Sequence, residues 1–185
     1  MQKTKFVDRV WKLKPEIKIY DLDGTIIDSS HRAIVNPDGT INLEKWREMS
    51  TKDFIFGDTL LPMYWQLVSD YKMGDIIVIC TARNLNKHDM NFIHTMGIYY
   101  DYIISRPNDD TTIDDVLKWN QCKHFFNLKQ FKNLRKTIFD DNNKTLARFF
   151  SKGCNVVNSN CINDDCSIIE VILCKKLNLL NVSGS

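Results

Sequence analysis

A chain of 185 residues with 43% hydrophobic and 26% charged residues has the length and mix of one soluble α/β domain with modest additions. A net charge of only +2 excludes the strong global field that marks many nucleic-acid and acidic-membrane binders, although a local basic surface stays open. No apolar run approaches the roughly 18 residues of a membrane span, MQKTKFVDRVWKLKPEIK lacks the apolar core of a secretory signal, and the six cysteines form no CxxC pair. These features lead to the expectation of a cytoplasmic protein with reduced thiols and no membrane partner.

Residues 1–16 form a basic leader ended by Pro15, with Phe6, Val7, Val10, Trp11 and Leu13 as apolar contacts. Ile17, Ile19 and Tyr20 then make a short strand that stops on Asp21, Leu22, Asp23, Gly24 and Thr25. Carboxylates are rarely buried without a partner, so two acids one residue apart at a strand end call for a cation or a shared proton. The turn tetrapeptide Asn36-Pro37-Asp38-Gly39 between Ala33–Val35 and Thr40–Asn42 predicts a small hairpin flap. A short helix around Leu43–Met49 and a loop complete an insert of about 29–58, in which Trp46, Phe54 and Phe56 form a minor core or offer stacking faces to a base.

Helical spacing of Leu60, Leu61, Tyr64, Leu67, Val68 and Tyr71 predicts a helix over 59–71, stopped by Gly74. The continuous apolar run Ile76–Cys80 reads as a strand buried on both faces and ends on Thr81-Ala82-Arg83. A helix over 87–96 closes at Gly97. A third strand, Tyr102–Ile104, ends on Ser105-Arg106-Pro107. Thr111 and Thr112 are N-cap candidates for a helix through Ile113, Val116, Leu117 and Trp119. An aromatic-rich stretch leads to strand Thr137–Phe139, which ends on Asp140-Asp141-Asn142. A helix over 143–152, a strand over Asn155–Val157 and a C-terminal extension, 159–185, of unknown role follow. The extension holds a possible further element around Ile168–Leu173.

Strand–helix alternation of this kind implies a mostly parallel sheet with helices on both faces, whose ligands bind outside the carboxyl ends of the strands. Asp21/Asp23, Thr81/Arg83, Arg106 and Asp140/Asp141 all sit at such ends and should line one crevice. Four acids there would repel one another without a divalent cation, and an all-oxygen set suits Mg²⁺. The hydroxyl of Thr81 and an ammonium from Lys118, with Lys123, Lys129 and Lys136 as other candidates, could hold phosphoryl oxygens. Residues i and i+2 of a strand point the same way, so one acid could act as nucleophile and its neighbour as general acid.

DLDGT (21–25), VICTAR (78–83), a lysine on a later helix and FDDN (139–142) resemble, in order, the four motifs of the haloacid dehalogenase-like (HAD) phosphatases over residues 17–158. Arg32, Arg83, Arg106, IDDVLKWN (113–120) and TIFDDNNKTLARFFSKGCNVVN (137–158) are further similar to the phosphatase domain of phage-type polynucleotide kinase–phosphatases. The 185 residues hold no GxxxxGK[ST] segment, so a kinase half is not expected within them. The resemblance implies a HAD-like Rossmannoid core with a small cap and an aspartyl-phosphate mechanism: Asp21 as nucleophile, Asp23 as acid and base. It further implies Mg²⁺ on Asp21, the Asp23 carbonyl, Asp140 and Asp141, with Thr81 and Lys118 on the phosphoryl group and Arg32, Arg83 and Arg106 toward the rest of the substrate. The implied activity is removal of 3′-phosphates from nucleic-acid ends; the alternatives are a nucleoside monophosphate phosphatase and a non-catalytic binding module. A substrate of either enzymatic kind, a phosphorylated nucleic-acid end or a nucleotide, is the expected partner.

Overall fold

The computed structural model describes residues 9–37 and 41–165. The tip of the expected flap at 38–40, Phe6 and Val7 of the leader and the element expected around Ile168–Leu173 lie outside them. In chain order the elements are β1 (Ile17–Tyr20), β2 (Ile27–Asp28), a 3₁₀ turn (Ser30–Arg32), α1 (Leu43–Glu48), α2 (Lys52–Ile55), β3 (Thr59–Leu60), α3 (Met63–Lys72), β4 (Ile76–Cys80), α4 (Lys87–Thr95), β5 (Tyr102–Ile104), α5 (Asp114–Phe126), β6 (Lys136–Asp140), α6 (Asn143–Phe150), β7 (Asn155–Asn158) and α7 (Asn160–Asn163).

Five of the strands form a parallel sheet in the order β5-β4-β1-β6-β7. Because both faces are covered, alternate side chains of one apolar run serve two cores. Tyr20, Ile77, Ile79 and Phe139 pack with Leu67 and Val68 of α3 and Phe92 and Ile93 of α4. Ile17, Ile19, Val78, Cys80 and Ile138 pack with Cys122 and Phe126 of α5 and Leu146 and Phe149 of α6. This is the mostly parallel, doubly covered sheet expected from the strand–helix alternation, and it puts the chain order reversal at β1, between β4 and β6. Ligand crevices form at such a point, beyond the carboxyl ends of the strands.

Some elements differ from expectation for local reasons. The helix expected from Thr59 begins at Met63, since Pro62 fits the first turn but disfavours helix in the residue before it; Thr59–Leu60 instead pairs antiparallel with β2. The chain thus leaves the core at Asp28 and returns at Thr59 through one two-stranded ribbon, with the insert between. Among the described residues the expected hairpin shows one bridge, Val35 to Ile41. The helix expected after Thr112 starts at Asp114, with Ile113 in extended conformation before it, and runs through the aromatic stretch to Phe126. Among the described residues no helix is long and apolar enough to cross a membrane.

Candidate active site

Adjacent placement of β1 and β6 brings the first and last acidic pairs together. The Asp21 amide donates to the Phe139 carbonyl at 3.0 Å, so the two strands remain hydrogen-bonded up to the residue that bears the first carboxylate. Carboxylate oxygens of Asp21, Asp140 and Asp141 lie within 4.8 Å of one another. Lys118, in the second turn of α5, reaches into this group: its Nζ is 2.8 Å from Asp21 Oδ1 and 2.8 Å from Asp140 Oδ2. Its side chain is 3% exposed, so the ammonium is held among carboxylates rather than in water. Lys136, the alternative carried from the sequence, caps the carbonyls of Phe131, Lys132 and Leu134 instead.

The electrostatics follow from crowding. Burial drives the Asp21 carboxyl well above its ordinary range; Lys118 opposes this, while the charges of Asp140 and Asp23 add to it. Asp141 is raised by burial and by Asp140. Burial works against the charge of Lys118, but Asp21 and Asp140 outweigh it and keep the ammonium protonated. Gly24 makes the tight approach possible. Its φ is +70°, and a Cβ there would stand 2.5 Å from Asp141 Oδ2, so a side chain would push the first acidic turn off the last carboxylate. Thr81 is buried at the end of β4, and its Oγ1 accepts from the Arg83 amide at 3.0 Å.

Asp23 is turned away from the three-carboxylate group. Both its oxygens accept from Arg83, through Nε at 3.0 Å and through Nη2, and Ser29 Oγ donates to Oδ1 at 2.6 Å. Burial pushes its pKa upward, but the Arg83 charge and these hydrogen bonds prevail and hold it below the ordinary value. Arg83 also donates to Asp89 at 2.7 Å and lies 3.4 Å from Asp58. Asp58 in turn takes a two-point contact from the Nε and Nη2 of Arg32, at 2.8 and 2.9 Å. The Trp46 ring lies 4.2 Å from the Arg32 guanidinium and 5.3 Å from that of Arg83.

Arg32 and Arg106, expected toward the substrate, both have partners within the protein. Arg32 is fully buried on Asp58 and Trp46, and among the described residues its Nη1 has no hydrogen-bond partner. Arg106 spends its guanidinium on the carbonyls of Ala82, Asp110 and Thr112 and on Asp114, stitching the loop after β5 to the Thr81–Arg83 turn. Buried guanidiniums seek carboxylates and carbonyls wherever the fold supplies them. Trp46 backs these cations; Phe56 is edge-on to Phe92 and Phe54 is partly exposed.

Residues 1–177 match the family of the bacteriophage T5 5′-deoxynucleotidase. The chain belongs to this family. The 5′-deoxynucleotidase of Escherichia phage T5 is 29% identical over 180 residues, covering 82% of this chain and 70% of the phage protein. Among solved structures, a chain of the Pnkp1/Rnl/Hen1 complex superposes with a TM-score of 0.59 at 18% identity, over 85% of this chain and 50% of that one. A haloacid dehalogenase-like hydrolase of Streptococcus pneumoniae gives 0.58 at 14% identity, over 77% and 83%. The chain spans half the length of the Pnkp1 complex chain it matches. This deoxynucleotidase-family chain has the HAD fold and is a phosphomonoester hydrolase, as the motifs implied.

Within the family chain, three carboxylates with oxygen-only donors and the glycine cradle beside Asp141 fit a hard divalent cation. The Asp23 carboxylate is not part of that group and is bound by Arg83. Five site neighbours escaped the sequence reading, Ser29 on Asp23 among them. Asp58 follows a glycine at the end of the insert, where only its return position hints at a role. Asp89 is half of a capping box with Asn86 and reads as a helix start. Ser159 and Asn163 lie beyond the last strand.

Proposed function

We propose that the chain removes the phosphate of nucleoside 5′-monophosphates, deoxynucleotides above all, by way of a phosphoaspartate on Asp21. Membership of the deoxynucleotidase family over nearly the whole chain is the observation that favours this substrate; the geometry supports the chemistry. Asp21 Oδ attacks phosphorus in line and the ester P–O bond breaks. The departing nucleoside oxygen takes a proton from Asp23, which then draws a proton from the water that attacks the phosphoaspartate and releases inorganic phosphate. Lys118 holds the phosphoryl oxygens against Asp21, with the Thr81 hydroxyl as a second donor. A divalent cation, Mg²⁺ by donor chemistry, would be held by Asp21, Asp140 and Asp141, and would neutralise charge on the phosphoryl group.

Arg83 has a double part. In the resting arrangement it holds Asp23 below its ordinary pKa; as substrate phosphate draws Arg83 toward itself, Asp23 takes up a proton from solvent and then serves as the acid. The test is a panel of deoxynucleoside 5′-monophosphates, a 3′-phosphorylated oligonucleotide and a 5′-phosphorylated one, each with Mg²⁺. Phosphate release from mononucleotides, abolished in Asp21→Asn, is expected. Release from the 3′-phosphorylated strand alone would overturn the mononucleotide reading in favour of the end-processing activity implied by the sequence motifs.

A further inference from the structure

The sheet fixes Asp21 relative to Asp140, because β1 and β6 are paired up to both residues. It does not fix the turn beyond Asp21, where Gly24 touches Asp141 and where Asp23 is aimed. That turn closes on itself, the Gly24 amide donating to the Ile27 carbonyl and the Ile26 and Ile27 amides to that of Leu22, and it is tied to the last acidic turn through Ser159 and the short helix α7 that Ser159 precedes. Ser159, fully buried, donates its amide to the Asp140 carbonyl at 3.1 Å, and its Oγ lies 3.1 Å from Thr25 Oγ1, itself fully buried. Asn163, 7% exposed, donates Nδ2 to the carbonyls of Gly24 at 3.2 Å and Thr25 at 3.1 Å. Its Oδ1 accepts from the Met63 amide at 2.9 Å, at the start of α3.

Ser159 and the four-residue helix it precedes thus tie the backbone of the last acidic turn, the backbone of the first and the head of α3 into one unit. Buried carbonyls and amides that have lost water hold their partners firmly. Without these bonds the Gly24–Thr25 turn can lift away from Asp141, and the third oxygen of the carboxylate group moves out of register with the other two. We infer that Ser159 and Asn163 are positioning residues, which set the spacing of the two acidic turns and through it the affinity for a divalent cation. The inference rests on reading the three carboxylates as the cation site.

Mn²⁺ binding, followed by loss of the free-ion signal in electron paramagnetic resonance, tests it without reference to turnover. Three variants divide the roles. Asn163→Ala removes both functions of the amide. Asn163→Asp keeps the acceptor for Met63 but sets an oxygen against the Gly24 and Thr25 carbonyls. Ser159→Ala leaves the bond to Asp140 and cuts only the one to Thr25.

Both Asn163 variants are expected to weaken Mn²⁺ binding by about ten- to a hundredfold, the usual effect of losing a residue that orients metal ligands, and Ser159→Ala by less. Asn163→Asp is the decisive one. An added negative charge acting merely as a charge would tighten Mn²⁺ binding, whereas a displaced turn weakens it; because a buried carboxylate facing two carbonyls also lowers the melting temperature, binding is measured well below the variant's own thermal midpoint. Mn²⁺ affinity within about twofold of wild type in both Asn163 variants overturns the inference alone. Failure of the wild-type protein to bind Mn²⁺, or binding indifferent to Asp140→Asn and Asp141→Asn, overturns the cation reading and this inference with it.

Discussion

Replacing Lys118 with methionine removes one positive charge from among three carboxylates while keeping the length and apolar stem of the side chain. At an effective dielectric constant of about 20, each 2.8 Å contact to Asp21 and Asp140 amounts to about 6 kcal/mol of attraction before desolvation. Much of that is offset by removing the charges from water, and loss of one member of a buried pair typically costs about 3–5 kcal/mol net. For a domain of this size the melting temperature should fall by roughly 6–20 °C. Catalysis should suffer separately, since losing one preorganised donor to a charged transition state costs about 10²–10³ in kcat. Calorimetry with and without Mg²⁺, beside steady-state kinetics on a deoxynucleoside 5′-monophosphate, separates the two effects. Mg²⁺ should recover part of the lost melting temperature, because another cation then stands among the carboxylates, yet leave kcat low. A Lys118→Met enzyme with unchanged melting temperature and kcat within about threefold of wild type would refute the assignment.

Asp58→Ala leaves the fully buried Arg32 without its carboxylate and takes a neighbour from Arg83; a stability loss of about 3–5 kcal/mol in urea unfolding is expected, and wild-type stability would mean that the network does not anchor the insert. Glu16 supplies a pH signature away from the site. A hydrogen bond from Arg135 holds its carboxyl below the ordinary value, against burial and with help from Lys18. The folded state therefore binds fewer protons than the unfolded chain in that window, so the contribution is present above the ordinary carboxylate pKa of about 4 and is lost as pH falls through the lowered one. Arg135 is mostly exposed, so solvent screening keeps the effect small. Urea midpoints of wild type and Glu16→Gln should differ at neutral pH and converge in acid; parallel curves would contradict the pairing.

The residues that the motifs implied differ in how they fare, and the difference is instructive. Asp21 and Asp140 are legible in the sequence because each position follows from a short-range rule. An apolar run ending in an acid places that acid at a strand tip; Lys118 follows from the resemblance of IDDVLKWN, and the fold brings its ammonium to Asp21 and Asp140. Arg32, Arg83 and Arg106 carry no such rule. Their forks can serve substrate phosphate or protein acceptors equally well, and the choice depends on which carboxylates and carbonyls the fold brings near. Asp58, at the far end of an insert with almost no regular pairing, could be matched to Arg32 only once the β2–β3 ribbon had closed.

By itself, then, the chain's order of apolar runs, glycines and acids determined a parallel sheet with a carboxylate-lined edge, because burial on both faces and the end of burial are written in consecutive residues. Tertiary structure alone decided which guanidinium meets which acid, that Asp23 rests on Arg83, and that Ser159 and Asn163 reach back to Gly24 and Thr25. Those contacts join segments as many as 139 residues apart, and an ion pair or hydrogen bond across such a distance leaves no period in the sequence; it exists only where folding has removed the water that would otherwise satisfy both partners.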